Sequence, residues 1–151
     1  MSGGLDTLRE LSERQRDAAR AALMQAEAQS NRAMAQLEQL CAYESEYRGR
    51  APGSSGAAAP IELLRCHQGF MGRLEQALAQ QHEAVRRAEA ELRRRRELLQ
   101  QAELKLASVQ KLLQRRQAEQ GRAEARRDQR QTDEAALQRH RRATTGLGGP
   151  P

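Results

Sequence analysis

The sequence predicts an all-α protein: a two-helix antiparallel coiled-coil hairpin whose second helix is longer than the first and overhangs it. Three observations lead to this fold class. Trp is absent and aromatic residues make up 2% of the 151 residues, so the chain has little material for a globular core. Gln, Glu, Arg, Ala and Leu dominate, which is the composition of long helices and coiled coils. Two runs of residues at heptad spacing flank a segment rich in Gly and Pro.

The first predicted helix spans residues 7–48. Thr7 and Glu10 have the S/T-x-x-E spacing of a capping box, in which each side chain bonds the free backbone N–H of the other. No Gly or Pro interrupts the helix up to Arg48. Its apolar and small residues alternate between spacings of four and three: Ala19, Leu23, Ala26, Ser30, Ala33, Leu37 and Leu40. This pattern predicts a seam for a second helix, built largely of small residues.

Residues 49–60 form the predicted hinge, because their Gly, Pro and Ser residues do not continue a helix. Pro60 suits the first position of the second helix, which is predicted over residues 61–142. A three-four alternation continues along it at Leu64, His67, Met71, Leu74, Leu78, Gln81, Val85, Ala88, Leu92, Arg95, Leu99, Ala102, Leu106, Val109 and Leu113. So long a repeat predicts a supercoil with a partner helix. Residues 143–151 are predicted to be a disordered tail of this single coiled-coil rod.

The predicted helices differ in length, and the short hinge between them forces an antiparallel arrangement. If the chain folds back near Ser54, Leu5 is expected opposite the region of Glu103. Residues from about Leu104 to Arg142 then have no partner within the chain. They carry 11 Arg or Lys against 5 Asp or Glu. An exposed helix of this kind predicts a surface for another protein.

The charge of the chain is uneven. Residues 1–50 have a net charge of −1 and residues 61–151 a net charge of +7. A basic half can meet nucleic acid, anionic lipid or an acidic protein surface, and charge alone does not choose between them. The four arginines at 93–96 point around the helix in every direction, so they form no single basic face. Because stacking aromatics are also lacking beside them, no nucleic-acid partner is predicted.

No catalytic residue, cofactor or metal site is predicted. Cys41 and Cys66 are expected to face each other near the hinge as small, buried or partly buried side chains. Even with His67 as a third ligand they make a poor zinc site. No stretch approaches the ~18 apolar residues of a membrane span, so no direct membrane insertion is predicted. Two cysteines and no apolar leader predict a reduced, cytoplasmic protein.

The three aromatic residues all fall near the hinge, on two stripes with the same spacing. One stripe is Gln36, Leu40, Tyr43 and Tyr47, and the other is Phe70, Leu74, Ala77 and Gln81. Each stripe shares a leucine with the heptad seam and then runs along its edge. The aromatics either close the end of the hairpin or form a docking surface, since aromatic area beyond a two-helix seam is typical of binding sites.

Three segments carry a resemblance to a known family. Residues 36–48 contain an L-x-x-Y-x-x-E-Y signature, and Phe70, Leu74 and Gln81 match an F-x-x-x-L-x-x-x-x-x-x-Q pattern. Residues 126–136 match R-x-[DE]-Q-[KR]-x-x-D-E-x-A. In this order, around a central Gly/Pro break, they resemble the flagellar export protein FliJ of the bacterial type III export apparatus.

The resemblance implies a stalk-like coiled coil in the hexameric flagellar export ATPase (FliI). It further implies contact with the export-gate membrane protein (FlhA), a link to recycling of export chaperones, and a place at the inner face of the cell membrane. Carried over by position, the gate-binding residues are Gln36, Leu40, Tyr43, Tyr47, Phe70, Leu74, Ala77 and Gln81. The segment entering the ring would use Arg122, Arg126, Arg127, Arg130, Asp133 and Glu134.

Two alternatives to a flagellar stalk stay open on the sequence. One is the equivalent stalk of a virulence-type injectisome, whose proteins share the architecture. The other is a basic coiled coil that binds nucleic acid, for which affinity would fall steeply with salt.

Overall fold

In the part of the chain that the structure describes, two α-helices are joined by a short connection. The computed structural model describes residues 3–53, 56 and 59–146, and among them the helices are α1 (Gly3–Gly49) and α2 (Ile61–Gly146). The predicted all-α class and the longer second helix are confirmed. The chain divides into two units, which we treat separately. The hairpin unit contains residues 13–104, and the end unit contains residues 3–12 and 105–146.

In the hairpin unit α1 and α2 run antiparallel along the predicted seam. Every predicted seam residue of this unit is partly or fully buried, and Ala26, Ser30, Leu74 and Leu78 are the most deeply buried. Small residues recur every seventh position in α1, at Ala19, Ala26 and Ala33. Large ones recur every seventh position in α2, at Leu78, Val85, Leu92 and Leu99. A small residue facing a large one lets the helix backbones approach and fills the space between them.

Two cross-helix contacts define how the helices are aligned. The rings of Tyr47 and Phe70 have centroids 4.7 Å apart, and the side chain of Gln81 donates a hydrogen bond of 3.2 Å to that of Gln36. Gln36 precedes Tyr47 by eleven residues, and Gln81 follows Phe70 by eleven residues. Because both helices rise by the same amount per residue, the two contacts belong to one register.

This register differs from the one expected from folding back near Ser54. In this register Glu103 is level with residue 14, and its carboxylate lies 3.9 Å from the guanidinium group of Arg20, so the expected pairing of Leu5 with Glu103 is wrong. The prediction assumed that the hinge residues divide equally between the two helices and advance along the helix axis as helical residues do. In the structure Tyr47 is level with Phe70. On the hinge side of this pair, α2 extends for nine more residues, to Ile61, whereas α1 extends for only two, to Gly49.

In the end unit, the N-terminal turns of α1 cover part of α2. Leu106, Val109 and Leu113 are at most 7% exposed, and Ser12 is 1% exposed. Beyond Leu113 the α2 residues up to Gly146 are exposed, apart from half-buried Ala123 and Ala135. The expectation that the whole segment from Leu104 to Arg142 lacks an intrachain partner is therefore wrong for its first ten residues. We call residues 114–146 the C-terminal segment.

The ends of the helices also differ from their predicted positions. The Thr7 hydroxyl donates to the carbonyl oxygen of Gly3 at 2.8 Å, which places Thr7 inside α1 and excludes the capping box with Glu10. At the other end α2 continues through residues 143–146, where the hydroxyls of Thr144 and Thr145 donate to carbonyl oxygens one turn earlier. The remainder of the predicted tail, residues 147–151, lies outside the described residues.

The connection between the helices contains the turn that the Gly/Pro composition predicts. The Arg50 and Ala51 N–H groups donate to the carbonyl oxygens of Tyr47 and Arg48, which closes the last turn of α1. Gly53 has a positive φ of 87°, a backbone conformation that favours glycine. The carbonyl oxygen of Pro60 accepts the N–H of Leu64, so Pro60 directly precedes the first turn of α2.

Candidate functional site

The eight residues of the two aromatic stripes come together in the hairpin unit as one surface. We call them the hinge stripe: Gln36, Leu40, Tyr43, Tyr47, Phe70, Leu74, Ala77 and Gln81. Their spacing is four, three and four residues on each helix. Since Tyr47 is level with Phe70 and Gln36 with Gln81, the equal spacing puts Leu40 level with Ala77 and Tyr43 level with Leu74. The hinge stripe is therefore four cross-helix levels in a single register.

The members of the hinge stripe do not all face solvent. Tyr43, Tyr47 and Phe70 leave 45%, 36% and 37% of their surfaces exposed, whereas Leu74 is buried in the seam. Gln81 is partly buried, and its amide group is used in bonds to α1. The aromatic residues thus supply the accessible surface, while Leu74 and Gln81 hold the two helices together beneath it.

The exposed side of α1 at the hinge stripe is stabilised by local contacts. The Gln39 side-chain amide donates to the Tyr43 hydroxyl at 3.4 Å. Arg48 pairs with Glu44, and Arg50 pairs with Glu46 at 2.8 Å, each one turn apart along the chain. Surface ion pairs of this kind contribute a few tenths of a kcal/mol each, about 0.2–0.5. These ion pairs stabilise the helical conformation of the last turns of α1, which contain Tyr47.

Two exposed apolar residues at the start of α2 were not singled out by the sequence patterns. Ile61 and Leu63 are both more than half exposed. Leu63 precedes Phe70 by seven residues, so it lies on the same side of α2 and extends the apolar surface. The seven-residue spacing from Phe70 was the available signal. Both residues fall just before the first predicted seam position, so the seam pattern does not include them.

The residues expected to enter the ATPase ring are all exposed on the C-terminal segment. Arg122, Arg126 and Arg130 follow one another at intervals of four, so they form a stripe along one side of α2. The Nε atoms of Arg122 and Arg126 each donate to a carbonyl oxygen one turn earlier at 3.4 Å. Asp133 accepts a bond of 3.1 Å from the Gln129 side chain.

The remaining members of the predicted ring-contact set are Arg127 and Glu134, which are also exposed. Among the described residues, none of the six charged groups of this set forms an ion pair within 4 Å. Their charges are available to a partner.

Neither cysteine occupies the position expected for it. Cys41 and Cys66 are free and both are exposed, so the expectation of buried or partly buried side chains is wrong. In the register of the hinge stripe, Cys41 is level with residue 76, ten residues from Cys66. Within residues 3–53, 56 and 59–146 no three His, Cys, Asp or Glu side chains cluster as metal ligands. In the same part of the chain, neither helix has an apolar stretch long enough to cross a membrane.

Comparison with known proteins identifies the family. The family model described as the flagellar FliJ protein matches residues 1–145, which include both helices and the connection. No curated protein sequence matches the chain. The match covers nearly all 151 residues, including the three segments on which the resemblance rests. This chain therefore belongs to the flagellar FliJ protein family.

Proposed function

We propose that this chain is the central stalk of the flagellar export ATPase, with the C-terminal segment in the FliI ring and the hinge stripe on the export-gate protein FlhA. The family is that of a flagellar type III export component, so association with the export apparatus is the starting point. One observation carries the finer proposal. The chain exposes two surfaces of different chemistry, one apolar and aromatic in the hairpin unit, the other basic and single-helical in the end unit.

The hinge stripe has the chemistry of a protein-binding surface. Interfaces are anchored by a few large aromatic side chains that become fully buried on binding. Covering the exposed part of one such side chain removes roughly 80 Å² of mostly apolar surface from water, which is worth about 2 kcal/mol. Three aromatics on one surface are therefore enough to anchor a complex of moderate affinity, and the flanking Leu63 enlarges the same surface.

The C-terminal segment has the chemistry of a helix that several acidic surfaces contact at once. It carries nine Arg and five Asp or Glu, a net charge of +4. An exposed ion pair contributes about 1 kcal/mol or less, so no single arginine of Arg122, Arg126, Arg127 and Arg130 is expected to be essential. A helix contacted by several subunits together favours the closed ring over separate subunits, because each contact is made only in the assembled state.

The proposed role contains no chemical step of its own. The chain would couple the ATPase ring to the gate, and the gate protein would hold it at the inner face of the cell membrane. Empty export chaperones are included as partners on the family resemblance alone. The match to the flagellar family favours this system over the equivalent injectisome stalk.

The test uses two variants and two readouts. The first variant ends after Gln117, which keeps the buried Leu113 and the complete hairpin unit. The second is Tyr43→Ala with Phe70→Ala. Binding to purified FlhA and stimulation of FliI ATP hydrolysis are measured for both. The truncated chain should bind FlhA like the full chain and fail to stimulate FliI. The aromatic variant should stimulate FliI and bind FlhA about 1,000-fold more weakly, since two anchors of about 2 kcal/mol each are lost.

The matched control for the aromatic variant is Met24→Ala, since Met24 is an exposed apolar residue of the same unit outside the hinge stripe. It should leave both readouts unchanged. A truncated chain that stimulates FliI fully would overturn the ring assignment, and an aromatic variant that binds FlhA normally would overturn the gate assignment. Binding of a single-stranded oligonucleotide at 0.15 M salt, lost on truncation, would support the nucleic-acid alternative instead.

A further inference from the structure

The two glutamines of the hinge stripe bond to the opposite helix. The Nε2 atom of Gln81 donates to the backbone carbonyl oxygen of Ala33 at 2.8 Å and to Oε1 of Gln36 at 3.2 Å. Gln81 occupies a heptad seam position of α2 and is partly buried. A carbonyl oxygen has two lone pairs, so that of Ala33 can accept this bond beside its bond within α1. Gln81 thereby links one turn of α2 to the turn of α1 that contains Ala33 and Gln36.

The apolar residues of the seam do not by themselves determine the register of α1 against α2. Ala19, Ala26 and Ala33 repeat every seven residues in α1. The large α2 residues repeat at the same interval, at Leu78, Val85, Leu92 and Leu99. At these positions, a slip of the helices by one heptad therefore sets similar residues against each other again. In such repetitive seams a buried polar residue commonly fixes the register, at some cost in stability.

The connection between the helices does not determine this register either. A slip of one heptad displaces one helix by about 10 Å relative to the other. Residues 50–60 make up a connection of 11 residues. Eleven residues can span up to about 36 Å, so the connection is long enough to follow the slip. Arg95, another polar seam residue of this unit, bonds to Glu91 on its own helix and moves with α2.

We propose that Gln81 is a positioning residue that fixes the register of the hairpin unit and so assembles the hinge stripe. In the native register Tyr47 contacts Phe70. After a slip of one heptad Tyr47 would instead be level with Leu63 or Ala77, and the aromatic surface would be divided. The consequence for FlhA binding rests on the proposed function, whereas the register itself does not.

The register can be measured on the full chain with its own cysteines. Cys41 and Cys66 are the two cysteines of the sequence, they lie on different helices of the hairpin unit, and both are exposed. With a spin label on each, double electron–electron resonance gives the distance between them. The native chain should give one distance. Gln81→Leu removes both bonds but keeps a seam-compatible side chain, so a second distance should appear, its population raised about tenfold or more.

Gln80→Leu is the matched control, because Gln80 is the adjacent glutamine of α2 and is exposed. Gln36→Leu keeps the shorter bond from Gln81 to the Ala33 carbonyl oxygen. Both variants should keep the single native distance. Gln81→Leu should retain the helical content of the native chain, and its thermal midpoint should be no lower, since leucine suits a seam position.

A single native distance in Gln81→Leu would overturn the positioning role. The same distances appearing in Gln80→Leu would also overturn it, since the effect would then not depend on the bonds of Gln81. FlhA binding is measured separately on unlabelled protein and should weaken by the factor by which the native population falls. A second distance with unchanged FlhA binding would support the register role and overturn the gate assignment of the hinge stripe.

Discussion

The two parts of α2 are one continuous helix in the structure, but different interactions stabilise them. Residues 61–113 carry Leu, Val, Met or Ala at most of their seam positions, and these side chains are partly or fully buried. Continuing the same three-four spacing through the C-terminal segment gives Arg116, Gln120, Ala123, Arg127, Arg130, Glu134 and Leu137. The side of the helix that packs on α1 in the first part thus becomes mostly charged in the second.

This difference shows how the exposed C-terminal segment stays helical. It is rich in Ala, Gln, Arg and Glu, which have high intrinsic helix propensity. Contacts one turn apart add to this, such as those of Gln129 with Asp133 and of Thr132 with the Asp128 carbonyl oxygen. The first part is therefore stabilised by packing and the second by local interactions. Local helical stability leaves all sides of the second part open to another protein.

The largest expected difference between the two parts is in the free energy of unfolding. Leu106 is buried in the end unit, whereas Leu137 is half exposed. Leu106→Ala removes a packed side chain and leaves a cavity, which should cost about 3 kcal/mol. Leu137→Ala should change the stability by about 0.5 kcal/mol or less. Urea unfolding of the full chain, followed by circular dichroism, measures both variants.

Equal effects of the two substitutions would contradict the division at Leu113. A large effect of Leu137→Ala in the isolated chain would mean that the C-terminal segment has apolar contacts in solution. A small effect of Leu106→Ala would mean that the N-terminal turns of α1 do not stabilise residues 105–113.

The sequence predicts the seam better than the register. Each seam residue from Ala19 to Leu40 and from Leu64 to Leu113 is partly or fully buried, because heptad spacing directly encodes one face of a helix. The register is seen only in contacts between the helices, such as the ring contact of Tyr47 with Phe70 and the hydrogen bond from Gln81 to Ala33, 48 positions apart in the chain. Spacing along one helix contains neither. The overhang was therefore expected ten residues too early.

The candidate site shows the same limit. The two stripes and their equal spacing are visible in the sequence, but that spacing alone does not place Tyr47 level with Phe70, as the structure does. The separate roles of the stripe residues are not visible there. A pattern does not distinguish an exposed Tyr43 from a Gln81 whose amide bonds to α1. The exposure of Cys41 and Cys66 was missed because the expected fold-back placed them on opposing levels.

A smaller expected effect is a difference in FliI affinity between arginine variants of the two parts of α2. Arg122, Arg126 and Arg130 form a stripe of the C-terminal segment, and their joint replacement by Gln should weaken binding to FliI about 30-fold at 50 mM salt. Three exposed ion pairs at somewhat under 1 kcal/mol each give about 2 kcal/mol, which corresponds to this factor. Fluorescence anisotropy of the labelled chain titrated with FliI measures the affinity.

The control carries the same loss of charge in the hairpin unit, at Arg93, Arg94 and Arg96. Because these residues point around the helix, their replacement by Gln should change FliI affinity less than threefold. The difference between the two triple variants should also shrink at 0.3 M salt, since screening shortens the range of exposed charges. Equal weakening by both would mean that net charge alone, without the C-terminal stripe, governs the binding.

The smallest expected effect concerns a glycine within each part of α2. Gly121 and Gly72 both lie inside the helix, and an added Cβ at either would meet no atom within 4 Å. Alanine stabilises a helix interior by about 1 kcal/mol relative to glycine, roughly a fivefold change in an equilibrium constant. Because the C-terminal segment is stabilised locally, Gly121→Ala should slow amide hydrogen exchange about fivefold within a few turns of residue 121 and leave the hairpin unit unchanged. Gly72→Ala should instead slow exchange across the packed hairpin unit, whose residues open together.

Exchange is followed by mass spectrometry of peptides from the full chain. If Gly121→Ala slowed exchange throughout the hairpin unit, the two parts of α2 would open as one cooperative unit, and the contrast between packed and locally stabilised helix would fail.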